Sequence, residues 1–200
     1  MTTLLLICLL GALLELDTTY AFQLMFSRGI VAGPMLGLLT GDVLTGIQVG
    51  LFTELLFLDI NPLGGMLPPS AAICCTLSMA FYTLQIPVYF AFFFGVVGAM
   101  LFSVCEVALR KHRSNWLAQE EEKIHDVPAR INGVIVRALG MSFIGNFLFV
   151  LLFSLALGPA FAKLLPHLPD QLQLAGKFAY MAVPWIGLAT LLSAFRLKTR

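Results

Sequence analysis

A single cationic side chain, Arg28, stands before position 110; all the other Lys and Arg of the chain's 12 come after it. Six of the 11 Asp and Glu fall in that same stretch. So few charges cannot cover a water-exposed surface. Over all 200 residues the chain is 59% hydrophobic and 12% charged, with a mean hydropathy of +0.92, which points to a membrane protein. No broad basic patch with interleaved aromatics exists, so a nucleic-acid partner is excluded.

Three apolar runs in the second half are long enough to cross roughly 30 Å of hydrocarbon. They are Pro87–Leu109, Ile131–Leu157 and Gly176–Phe195, the last with Pro184 as an expected kink. The segment Arg110–Arg130 carries Arg110, Lys111, Arg113, Lys123 and Arg130, and the tail carries Arg196, Lys198 and Arg200. The connection around Gly158–Ala175 carries only Lys163. The positive-inside rule therefore places the first two in the cytoplasm and the third outside, consistent with the two crossings between them. The charges of Arg110–Arg130 read as a solvated cytoplasmic loop, with docking of a soluble partner as the alternative.

The first half is punctuated differently. The opening run, Leu4–Leu16, lacks a basic leader and a small-residue cleavage site, and reads as a retained first helix. Gly29–Thr40 would be about 18 Å long as a helix and Val43–Leu58 about 24 Å; Ser70–Gln85 is similar. Short apolar helices broken by Gly and Pro are tolerated only inside protein or against a water-filled cavity. The expected fold is thus an all-α polytopic membrane protein in two parts. Residues 1–86 hold short broken or re-entrant helices, and residues 87–200 hold three spanning helices and a cytoplasmic loop at 110–130.

Within the first part, Asp42, Gly46, Gly50 and Glu54 follow at four-residue spacing and share one helical stripe. Gly33, Gly37 and Gly41 make a similar small-residue row, the kind of face that lets helices approach closely. Asp42 suits a helix N-cap. Glu54 lies mid-segment beside Thr53, with no Lys or Arg between Gly41 and Pro69 to pair with it. A carboxylate facing lipid costs at least about 2.5 kcal/mol, so it must face a cavity, a ligand or a partner. After it, Pro62, Gly64, Gly65, Pro68 and Pro69 forbid a continuous helix and bring Asn61 to the same depth. An acid, an amide and free peptide groups suit a polyhydroxylated ligand. Cys8, Cys74, Cys75 and Cys105 read as apolar helix residues, and His112, His125 and His167 as surface residues. No metal or cofactor site is expected.

The stretch Gln23–Leu58, followed by Pro62–Ala72, resembles the membrane-embedded IIC subunit of mannose-family sugar phosphotransferase systems. Gln23, Arg28, Gly33, Pro34, Gly37, Gly41, Asp42, Thr45, Gly46, Gly50, Glu54, Gly64, Gly65 and Pro69 fall on that family's pattern, and Asp17 matches an acidic position near the end of the first helix. Gly29 stands where the family usually has Pro, and the chain is short for the family, as if membrane segments of its second half were missing. The resemblance implies a multi-pass permease subunit of a bacterial inner membrane, not itself an enzyme. It implies a hexose-like sugar as substrate, a IID membrane partner, soluble IIA and IIB phosphocarriers that supply the phosphoryl group, and an oligomeric complex. The sugar contacts expected are Glu54, Asn61, Gln23, Asp17 and Thr53. An alternative is a small secondary transporter or vitamin-uptake component, with Glu54 or Asp42 coupling to protons or ions. An intramembrane enzyme lacks a nucleophile–base pair or a metal set here.

Overall fold

Helix boundaries follow the sequence's punctuation. The computed structural model describes the backbone of residues 1–19, 23–58, 60, 67–126 and 131–198. Among these residues there is no strand. The helices are α1 (Thr2–Thr19), α2 (Gly29–Thr40), α3 (Val43–Phe57), α4 (Ala71–Thr83), α5 (Val88–Asp126), α6 (Ile131–Leu164) and α7 (Asp170–Lys198), with a 3-10 turn at Leu165–His167. Those of α5, α6 and α7 are long and apolar enough to cross a membrane, whereas α2, α3 and α4 are shorter apolar helices. The chain is a multi-pass membrane protein built from both kinds.

Two residues turn α2 back into α3. Gly41 ends α2 in the left-handed region at φ 78°, where a side chain would be strained. Its N–H and that of Asp42 donate to Leu38 O and Gly37 O, satisfying the last carbonyls of the helix. Gly41 is therefore the turn residue and not a member of the packing face expected for it. Asp42 then caps α3 by accepting from the Thr45 N–H at 3.1 Å.

The rest of the glycine row does pack. A β-carbon on Gly33 would lie 2.3 Å from Gly46 O and 2.7 Å from Gly50 Cα, and one on Gly50 would lie 2.2 Å from Gly29 O. These are backbone atoms with nowhere to move, so α2 and α3 touch along Gly29, Gly33 and Gly37 on one side and Gly46 and Gly50 on the other. Gly29, the departure from the family pattern, belongs to this seam. Pro34 lies inside α2, where its missing N–H does not end the helix.

At the centre lies α4. Its residues Ala72 to Phe81 are all buried, and α1, α2, α3, α5 and α6 all pack on it. A helix apolar all round requires such a sheath. That sheath lets 13 residues, about 20 Å of helix, serve without meeting lipid. Phe81 sits in an aromatic cluster with Phe94, Phe153 and Phe161.

The expected loop at 110–130 is corrected by the structure. α5 continues without a break to Asp126, and residues 127–130 lie outside the described residues. The reason is local: from Arg110 to Asp126 there is neither Gly nor Pro, and Arg110 pairs with Glu106 one turn back at 3.0 Å. The Arg137 guanidinium of α6 lies over the Trp116 ring at 5.0 Å, tying the two helices together on this extension.

Candidate functional site

Close approach of α2 and α3 also sets the site. With Gly29 against Gly50, Arg28, the residue before α2, comes alongside the last turns of α3. Its Nε lies 3.0 Å from Glu54 Oε1. The partner missing from Glu54's own segment is thus supplied by the one cation in the first half of the chain. The Arg28 side chain is 62% exposed and that of Glu54 19%, so the pair stands at a wall rather than in a dry core.

That wall belongs to a cavity of about 400 Å³. Glu54, Arg28, Ser27, Glu15, Thr18, Ser70, Ser103, Glu106 and Arg110 supply its polar lining, and Phe57, Phe102, Pro68 and Pro69 part of its apolar lining. Five helices or their ends contribute, which is why no single stretch of sequence shows the site whole. Three carboxylates and two guanidinium groups alternate with hydroxyls, so acceptors and donors are both present and neither sign dominates.

Each carboxylate is held differently. Glu15 is 7% exposed and accepts a hydrogen bond from the Ser70 hydroxyl, whose oxygen also takes the Ile73 N–H at 3.3 Å and caps α4. Glu106, 6% exposed, accepts from Arg110 Nε at 3.0 Å and Arg113 Nη2 at 3.1 Å. Arg113 in turn donates to Ser142 of α6. Glu54 pairs with the exposed Arg28 and keeps the most solvent-facing carboxylate surface of the three.

The other expected contacts are distributed otherwise. Thr53 is fully buried; its hydroxyl donates to Val49 O at 2.8 Å and faces Cys74 Sγ at 3.5 Å. It points into α4 and away from the cavity. Asp17 accepts from the N–H groups of Leu24 and Ser27, at 2.8 and 3.3 Å, and so fixes the turn that delivers Arg28. Gln23 is exposed, has φ 52° and does not line the cavity. Asn61, Gly64 and Gly65 lie outside the described residues. Asp42 is far from Glu54, at the other end of α3, where it accepts from Thr45 and from the Tyr82 hydroxyl at 2.8 Å. Glu15 and Glu106 were not expected at the site, although each is an acid set in an apolar run, the signal that singled out Glu54. No group of His, Cys, Asp and Glu suited to a metal ion occurs among the described residues.

Comparison with known proteins finds likeness at the level of family, of sequence and of fold. The family model described as the PTS system sorbose-specific IIC component matches residues 1–199. A protein carrying the name N-acetylgalactosamine permease IIC component 2, of Escherichia coli (strain K12), is 41% identical over 54 residues, which make up 27% of this chain and 41% of that protein. The matched part thus spans less than half of that relative's length. A chain in the cryo-EM structure of the mannose transporter ManYZ with microcin E492 (MceA) superposes with a TM-score of 0.64 at 18% identity, covering 98% of this chain and 78% of that one. This last likeness is one of fold.

Proposed function

Because the chain belongs to the family of sorbose-specific IIC components of the sugar phosphotransferase system, we propose that it binds a neutral, hexose-like sugar in the cavity around Glu54 and moves it across the membrane. The family is one of permease components, so this chain is a transport subunit and phosphoryl transfer belongs to its partners. The membrane is the inner membrane of a bacterium, and the working unit is an oligomer with a IID subunit, served by soluble IIA and IIB phosphocarriers.

The observation that supports this reading best is the Arg28–Glu54 pair at the wall of the cavity. A carboxylate and a guanidinium side by side offer paired acceptors and donors to adjacent hydroxyls. Ser70, held by Glu15, adds a hydroxyl on the facing helix end. The cavity lies toward the end of α5 that carries Arg110, Lys111 and Arg113, the end the positive-inside rule gives to the cytoplasm. A sugar held there is within reach of a soluble phosphocarrier. Of the expected contacts, Asn61 remains part of the proposal, while Thr53 is withdrawn from it.

Glu54→Gln tests the assignment, since it keeps the shape and removes the charge. A charge-assisted hydrogen bond contributes about 1.5–3 kcal/mol, so sugar affinity should fall roughly ten- to a hundredfold. Assembly should persist, because Arg28 is exposed enough to be hydrated alone. Normal sugar affinity in an assembled complex would sink the site.

A further inference from the structure

A second cavity, of about 560 Å³, lies at the opposite end of α1 to α5 and is unused by the Glu54 site. The ends of α2 and α4, the starts of α1 and α3 and the turn into α5 line it. Asp42, Tyr82, Thr40, Thr83 and Gln85 supply its polar walls.

Asp42 carries more than its capping role requires. The cap needs only the Thr45 N–H, yet the Tyr82 hydroxyl also reaches the Asp42 carboxylate from α4, 40 residues away, at 2.8 Å. Thr40 and Thr83 donate their hydroxyl hydrogens to Gly37 O and Ala80 O, so their oxygens keep acceptor lone pairs. Gln85, just past α4, takes the left-handed backbone that ends the helix, with its own N–H and that of Ile86 donating to Tyr82 O and Phe81 O, and its side chain stands exposed at this cavity. The lining includes one carboxylate and no Lys or Arg side chain, which disfavours an anion. Asp42 is the one His, Cys, Asp or Glu among the described residues lining this cavity, too few donors to hold a metal ion. What remains is a phenol, an amide, hydroxyls and a hydrogen-bonded carboxylate around a space of ligand size, the composition that suits a neutral polyol.

We infer that this cavity is a second, outer binding site for the neutral sugar, occupied before the sugar reaches Glu54. The inference rests on the sugar-transport reading for the nature of the ligand. Its outward position follows from α5, which leaves this end at Val88 and carries its basic residues beyond Arg110 at the other.

The test uses the assembled complex in intact cells. Thr83→Cys is placed in a Cys105→Ser background; Cys8, Cys74 and Cys75 are buried. A membrane-impermeant maleimide is applied from outside, with and without a mixture of neutral hexoses, and with and without Glu54→Gln. The expected result is that saturating hexose slows labelling severalfold in both backgrounds. Asp42→Asn, which keeps the cap, should raise the hexose concentration needed for protection about tenfold. Two results overturn the inference: no protection by any hexose while equilibrium binding at the Glu54 site is intact, or protection that vanishes with Glu54→Gln. If equilibrium binding is indifferent to Glu54→Gln while protection of Thr83→Cys persists, the inner-site reading falls and the outer site stands. Gln85→Cys repeats the measurement if Thr83→Cys does not assemble.

Discussion

Thr53 and Glu54 are neighbours in sequence but stand roughly 100° apart around α3, and that rotation gives them different surroundings. Thr53 meets Cys74 in the core and Glu54 lines the cavity. Adjacency along the chain had suggested a shared site; helical geometry forbids it. Thr53→Val should therefore leave sugar affinity unchanged where Glu54→Gln lowers it, a contrast that one binding titration reads. Glu15 was legible in principle, because an acid in an apolar run needs a partner wherever it lies. Its partner Ser70 is distant in sequence, and only the fold joins them. Ser70→Ala removes the α4 cap and leaves Glu15 buried without its donor. Summing a lost cap and a stranded polar group, about 2–3 kcal/mol of stability should disappear. Thermal unfolding in detergent measures it, with the exposed Ser193→Ala as the control; equal melting temperatures would contradict this arrangement. Arg28→Gln breaks an exposed ion pair and should cost less than about 1 kcal/mol.

The α2–α3 hairpin was the most legible element, since small residues four apart can only serve a close helix contact or a turn. Sequence spacing could not decide between those two uses for Gly41. That depends on backbone conformation, and φ 78° settles it as the turn. The two uses predict different penalties. Gly33→Ala drives a methyl group to within 2.3 Å of Gly46 O, so the helices must separate. Gly41→Ala meets nothing within 4 Å and costs only the left-handed backbone, about 1–2 kcal/mol. Gly33→Ala should thus lower the melting temperature of the solubilised protein by more than Gly41→Ala does; the reverse order would mean the hairpin is looser than described. The extension of α5 was misread for the opposite reason. A dense run of charges suggested a loop, but charge does not break a helix where Gly and Pro are absent.

Among the described residues, α1 to α5 run alternately between two ends, and each end lines a cavity of ligand size. Sequence reading anticipated the class, the three long helices and the basic ends, because hydropathy and charge are local properties. It could not anticipate which short helices surround which cavity, because five elements separated in sequence build each one. From the charge asymmetry, the positive-inside rule predicts that the Glu54 end is cytoplasmic. A single cysteine at His112, in a Cys105→Ser background, should resist a membrane-impermeant thiol reagent in intact cells and react once the membrane is opened; ready labelling from outside would reverse the topology. On the proposed function, sugar moves through the Glu54 cavity coupled to phosphorylation by partner subunits. The direct measurement is uptake by sealed vesicles holding the complete complex with its soluble phosphocarriers. Addition of phosphoenolpyruvate should make labelled sugar accumulate inside as its phosphate ester, at a rate unchanged when the proton gradient is collapsed. Unmodified sugar accumulating only while a proton gradient is maintained, with phosphoenolpyruvate without effect, would contradict the account.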